Sequence, residues 1–164
     1  MPFVLDASMA ASWAFNDESS VLAREVLDRM ARDYAVVPAL WWFEMLNIIA
    51  VNERRKRLSA VSSAEFLALL NDLDIEVDQS PVHGIILSLA REHRLTGYDA
   101  AYLELALREG LSLATFDREL ATAARQAGVV LRVHHPRPHR IAHREAGRRL
   151  RLALVREAAA QDTG

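Results

Sequence analysis

The sequence predicts an α/β fold: a mostly parallel central sheet covered by helices on both faces, with a basic C-terminal extension after it. Two patterns predict the sheet. Short runs that are apolar at every position alternate with longer segments whose apolar residues recur at the helical period. Strands that are apolar on both sides need cover on both faces, as in a parallel sheet between helix layers. A third observation marks the extension. From His134 onward the chain holds seven arginines against three acids, whereas residues 1–133 hold 13 basic and 19 acidic residues.

In chain order, Phe3-Val4-Leu5 is the first predicted strand, ending at Asp6. Residues 19–33 carry Leu22, Val26 and Met30 at helical spacing. Ala35-Val36-Val37 is a second strand, stopped by Pro38. Residues 41–55 are helical by composition. Ser62 and Glu65 have capping-box spacing, and Phe66, Leu69, Leu70 and Leu73 then share one stripe. Ile75-Glu76-Val77 gives a third strand. Pro81 suits a first helical position, with Val82, Ile85, Ile86 and Leu89 following the helical period. Residues 98–109 form a helix that Gly110 stops. A strand over 113–116, a helix over 118–127 ended by Gly128, and a last strand over 129–133 complete the order. Ligands of such sheets sit beyond the carboxyl ends of the strands.

Composition narrows the function. At 164 residues the chain suits one domain, residues 1–133, with 134–164 as a His/Arg-rich extension containing a loop and a basic helix. There are no cysteines, which excludes disulfides, thiolate zinc sites and cysteine nucleophiles. The opening Met1-Pro2-Phe3-Val4-Leu5-Asp6 does not read as a signal peptide, and no apolar run reaches the length of a membrane span. The acidic body repels nucleic acid unless cations mediate the contact.

Three aspartates fall where a parallel sheet presents its site. Asp6 follows the first strand, Asp117 follows the strand over 113–116, and Asp99 lies in the first turn of a helix. Each has a simpler reading: Asp6 and Asp117 as N-caps, Asp99 in a capping box with Thr96. Glu44 is harder to explain locally. It interrupts the apolar run of residues 40–50, where a buried, unpartnered carboxylate costs several kcal/mol. It either joins a solvent-facing polar stripe with Asn47 or points into a polar pocket. Carboxylates gathered in one place stay ionised only if a cation compensates them. A set of hard oxygen ligands favours Mg²⁺ or Mn²⁺, which can activate a water and neutralise charge on a phosphodiester. Ser8 and Thr115 stand two positions from Asp6 and Asp117. Either hydroxyl orients a carboxylate or makes a local turn bond to backbone.

Four segments together resemble the PIN-domain ribonucleases, specifically toxins of the VapC type. They are Val4-Leu5-Asp6-Ala7-Ser8; Trp42-Phe43-Glu44-Met45-Leu46-Asn47 after Pro38; Leu95-Thr96-Gly97-Tyr98-Asp99-Ala100-Ala101-Tyr102; and Leu113-Ala114-Thr115-Phe116-Asp117. The third is the most specific, and the likeness spans residues 3 to 133. The resemblance implies a three-layer α/β/α fold and a cytoplasmic Mg²⁺-dependent endoribonuclease, with Asp6, Glu44, Asp99 and Asp117 as catalytic and metal-binding acids. It also implies an RNA substrate, an inhibitory antitoxin and a homodimer. The tail after Val133 is longer than the family pattern.

Other features carry less. His134, His135, His139 and His143 stand in a proline-containing polar segment, more in keeping with a solvated stretch than a metal site. The tail arginines could meet phosphates, an acidic partner or solvent alone. Arg54-Arg55-Lys56-Arg57 follows a helix end, where cations are favoured anyway. Trp13, Trp41 and Trp42 suit a core or an interface. A receiver-like phosphoacceptor domain also gathers acids on such a sheet but needs a site lysine, and Lys56 is the only one. A non-catalytic binding protein with this fold is the remaining alternative.

Overall fold

The computed structural model describes residues 1–15 and 20–131. Its sheet has four parallel strands: β1 (Phe3–Leu5), β2 (Ala35–Pro38), β3 (Ile75–Asp78) and β4 (Ser112–Ala114). Their spatial order is β3-β2-β1-β4. Seven α-helices accompany them among the described residues: α1 (Ala7–Ala11), α2 (Val21–Arg29), α3 (Trp41–Arg54), α4 (Ala60–Asp72), α5 (His83–His93), α6 (Gly97–Glu109) and α7 (Arg118–Gln126). A 3₁₀ turn over Ser12–Ala14 follows α1. The result is the three-layer α/β/α fold. All of β1 and β4 is buried, so helices cover both faces. Helix α6 packs across β2, β1 and β4, flanked by α5 and α7, while α1 packs on α3 and α3 on α4.

The strand order decides where the site can form. The chain steps from β1 to β2 and β3 on one side, then returns to place β4 on the other. The carboxyl ends of β1 and β4 therefore flank the point where winding reverses, which opens a crevice there. The register Leu5↔Ala114 puts Asp6 and Thr115 next to each other just past the paired residues. The Asp6 N–H still donates to the Ala114 carbonyl at 3.0 Å.

Several elements differ in detail from the expectation. The short helix α1 and the 3₁₀ turn are new. Five small or apolar residues in Ala7–Ala11 are too few to display a helical period. Helix α4 begins a turn earlier than the Ser62/Glu65 spacing suggests. Ser59 is extended and its hydroxyl accepts the Ser62 N–H at 3.0 Å, so Ser59 is the cap. Pro81 lies outside α5, whose N-cap is Val82. Of the four apolar positions expected to follow the helical period, Leu89 alone is buried; Ile86 is partly covered, and Val82 and Ile85 face solvent. Strand β4 stops at Ala114, leaving Thr115 and Phe116 in the following loop. The last strand is reduced to a single parallel bridge, Leu113↔Leu131; Val129 and Val130 are not part of a strand, while residues 132 and 133, and every feature assigned to 134–164, lie outside the described residues. Gly110 does end α6, at φ 64°, a left-handed turn that an L side chain rarely adopts.

Candidate active site

Asp6 is held from two directions. Its backbone is extended and precedes α1, but its carboxylate caps nothing there. Instead Oδ2 accepts hydrogen bonds from the hydroxyls of Ser8 and of Thr115, the latter at 2.6 Å. Each hydroxyl has one proton, and both are committed to Asp6. Their lone pairs are used as well: Ser8 Oγ accepts from the Phe116 N–H at 3.0 Å and Thr115 Oγ1 from the Asp117 N–H at 2.9 Å. The loop after β4 is thus tied through two hydroxyls to one carboxylate. Ser8 lies in a helix rather than an extended segment, and Thr115 reaches Asp6 across the strand pair rather than the Asp117 carboxylate. Both hydroxyls orient a carboxylate, and Thr115 makes the local turn bond as well, through the Asp117 N–H.

Glu44 sits half-buried in the first turn of α3 and accepts a hydrogen bond from the Tyr102 hydroxyl of α6. It does not share a solvent stripe with Asn47, which is exposed. Tyr102 is the residue that sequence reasoning missed. It lies three positions after Asp99, hence on the same side of α6, and that spacing was the available signal. Burial, then the bond to Glu44, pushes the Tyr102 hydroxyl far above its ordinary pKa, so it remains a donor.

Asp99 and Asp117 keep their helix-capping geometry. The Thr96 hydroxyl accepts the Asp99 N–H at 3.1 Å and donates to Asp99 Oδ2 at 2.6 Å. Asp117 Oδ1 accepts the Leu120 N–H at 2.7 Å as N-cap of α7. Asp117 therefore meets its simpler reading as an N-cap, while Asp99 forms half of a capping box, its carboxylate taking the Thr96 hydroxyl in place of the backbone N–H; an oxygen is left over in each. Asp6 and Glu44 likewise use Oδ2 and Oε2 only. Among the described residues, all four carboxylates are anchored through one oxygen while the other has no partner.

The four acids also feel one another. Burial is the main cause that raises the pKa of Asp6; the two hydroxyl bonds oppose it, and the charges of Asp117 and Asp99 add to it. Burial likewise raises Glu44, opposed by the Tyr102 bond and reinforced by the charges of Asp6 and Asp99. Side chains from β1, α3, α6 and the loop after β4 therefore share one electrostatic neighbourhood. None of the four forms an ion pair among the described residues. Nor does any group of three His or acidic side chains there lie close enough to coordinate a metal directly as placed. The donors these acids offer are all oxygen, the kind that suits a hard divalent cation keeping waters of its own.

The surroundings restrict the chemistry. Lys56 follows the far end of α3, roughly 18 Å along the axis from Glu44 at 1.5 Å per residue, so the receiver-like reading lacks its lysine. An open groove of about 370 Å³ lies at the opposite end of β1 and β4, lined by Pro2, Leu107, Leu111 and Val130. It contains no acid and is separate from the cluster. Trp13 and Trp41 belong to the core, and Trp41 meets Trp42 edge-on with ring centres 4.9 Å apart. No helix among the described residues is long and apolar enough to cross a membrane.

A family model for the PIN domain matches residues 3–126. Among solved structures, the chain is similar to PAE2754 from Pyrobaculum aerophilum, with a TM-score of 0.61 and 23% identity, over 97% of this chain and 99% of that one. At that identity the likeness is one of fold. No curated protein matches the sequence.

Proposed function

The chain belongs to the PIN-domain family, generally a nuclease fold whose members typically bind divalent metals, and from that premise we propose that it is a Mg²⁺-dependent endoribonuclease. The observation that carries this reading is the set of half-engaged carboxylates. Asp6, Glu44, Asp99 and Asp117 lie within electrostatic reach of one another and, among the described residues, have one oxygen each unpaired and no ion-pair partner. A divalent ion supplies charge compensation at a phosphodiester and lowers the pKa of water. Mn²⁺ satisfies the same oxygen donors.

This chain's own residues do the positioning. Ser8 and Thr115 fix the Asp6 carboxylate, with Oδ1 left over for ligation. Tyr102 holds Glu44 through Oε2, and Thr96 holds Asp99 through Oδ2. Aligned carboxylates of this kind keep a hydrated ion and the scissile phosphate in register, where misplacement by even an ångström costs orders of magnitude in rate. The resemblance of residues 95–106 to VapC proteins supports a toxin role in the cytoplasm, with an antitoxin as inhibitor and a second copy as partner. Residues 1–133 carry the nuclease and 134–164 form an added basic extension.

Cleavage of total RNA with and without EDTA, by wild type and by Asp6→Asn and Asp99→Asn, tests the proposal. Activity that requires a divalent ion and disappears in both folded variants is the expected result. Metal-independent cutting that persists in both variants ends it.

A further inference from the structure

Two arginines of α7 are alike in exposure and differ in placement. Arg118 is the first residue of the helix, and Arg125 lies in its last turn, roughly 10 Å further along the axis at about 1.5 Å per residue. Both are exposed, and neither enters an ion pair among the described residues. The helix dipole accounts for Arg125, because a cation is favoured beside the unsatisfied carbonyls of the last turn. It opposes Arg118, because the N–H groups of the first turn already carry partial positive charge. Glu119, next in the chain, is the kind of residue a first turn favours.

Local pairing does not account for Arg118 either. The positions that meet it on the helix surface, three and four residues on, are Ala121 and Thr122, and neither is an acid. Asp117 precedes it directly, but that carboxylate turns to the Leu120 N–H as the helix cap. What distinguishes the position is its surroundings. Arg118 follows the loop whose Thr115 hydroxyl binds Asp6 and whose Phe116 N–H binds the Ser8 hydroxyl. Helical side chains lean toward the N-terminus of their helix, and for α7 that is the end beside the carboxyl ends of β1 and β4. The guanidinium is therefore carried toward the mouth of the acid cluster. One divalent ion offsets two of the four carboxylate charges there, so the mouth still repels a phosphate. A guanidinium adds a positive charge and a planar fork of donors that matches two phosphate oxygens.

We propose that Arg118 is a substrate-binding residue that grips a phosphate of the RNA at the entrance to the acid cluster. This rests on the nuclease reading for the identity of the ligand. The acids hold the ion, and Arg118 holds the strand against it, so the two act on different partners.

The test uses the full chain with Ca²⁺ in place of Mg²⁺. Fluorescence anisotropy at several salt concentrations measures binding of a labelled oligoadenylate. Arg118→Gln is expected to weaken binding about 10-fold or more and to lower the slope of log affinity against log salt by about 0.7. Arg118→Lys keeps the slope and recovers part of the affinity, since the charge stays and the fork is lost. Arg125→Gln changes neither. Without RNA, titration calorimetry of Arg118→Gln with Mg²⁺ is expected to give an affinity at or above that of wild type, and its melting temperature in EDTA does not fall. Unchanged RNA affinity and slope in Arg118→Gln overturn the proposal and leave the side chain to solvent or a protein partner. So does weakened Mg²⁺ binding without RNA, which makes the arginine a support for the acids. An equal loss of RNA affinity in Arg125→Gln overturns it too, as a diffuse effect of net charge. A wild-type chain that shows the Arg118 dependence but never cuts RNA in Mg²⁺ sinks the nuclease reading alone. One that cuts normally, with Arg118→Gln binding and cutting like it, sinks the role of the arginine alone.

Discussion

Two groups of acids in this protein are handled in opposite ways. In the first, Arg108 on α6 reaches Glu104 at 2.8 Å and Asp78 at the end of β3 at 2.7 Å, and also pairs with Glu109. Glu104 is almost completely buried, yet one guanidinium compensates it, and the three acids in turn raise the pKa of Arg108. In the second, Asp6, Glu44, Asp99 and Asp117 receive, among the described residues, hydroxyl and backbone N–H donors alone, and the pKa values of Asp6 and Glu44 move up. A hydroxyl bond orients a carboxylate without cancelling its charge. The first group is complete as folded and ties α6 to the sheet. The second is oriented but electrically incomplete, which is what a cation-dependent site requires.

The sharpest way to break this contrast is to exchange the losses. Arg108→Met leaves Glu104 buried without a cation and is expected to cost about 3–5 kcal/mol of stability in urea denaturation, while the folded fraction still cleaves RNA. Asp6→Asn is expected to do the reverse: cleavage falls by at least about 100-fold, since even residues behind a metal ligand cost 10- to 100-fold, and metal-free stability holds or rises. If both variants lost stability alike, the two groups would be equivalent structural networks.

A somewhat smaller effect separates the groups by metal and pH. Asp6 and Glu44 ionise less readily in the folded chain than in the unfolded one, so the metal-free fold is favoured below their ordinary values of about 4. It loses that advantage as pH rises through their elevated folded values. Calorimetry in EDTA is expected to show this decline across the carboxylate range. At neutral pH, Mg²⁺ at 100 times its Kd restores about 2.7 kcal/mol. The gain is absent in Asp6→Asn and intact in Arg108→Met.

Tyr102→Phe removes the donor to Glu44 and leaves the carboxylate free to swing. Metal affinity by titration calorimetry is expected to fall about 10-fold, with little change in melting temperature. The smallest expected effect is at Thr96. Thr96→Ala deletes the α6 cap and should cost about 1 kcal/mol, and it tests whether Asp99 needs that hydroxyl for activity as well as for the helix.

Much of this was legible from the sequence for a local reason. Strands such as Phe3–Leu5 and helices such as Gly97–Glu109 announce themselves through runs and periods only a few residues long. The four acids stand at strand ends and first turns, positions that those same periods locate. The Ser59 cap was misplaced because Ser62 offered a competing signal three residues on, and α1 was missed because five residues carry no period.

The sequence by itself determined the α/β alternation and which positions carry carboxylates at the site end of the sheet, because both follow from side-chain chemistry read along the chain. The tertiary structure alone decided who holds those carboxylates. Thr115 meets Asp6 across 109 positions and Tyr102 meets Glu44 across 58, joined by the β1–β4 register and by the packing of α6 over the sheet. Periodicity tells which face of an element is buried. Which side chains of two distant elements then touch depends on how those faces register against each other, and no short stretch of chain encodes that.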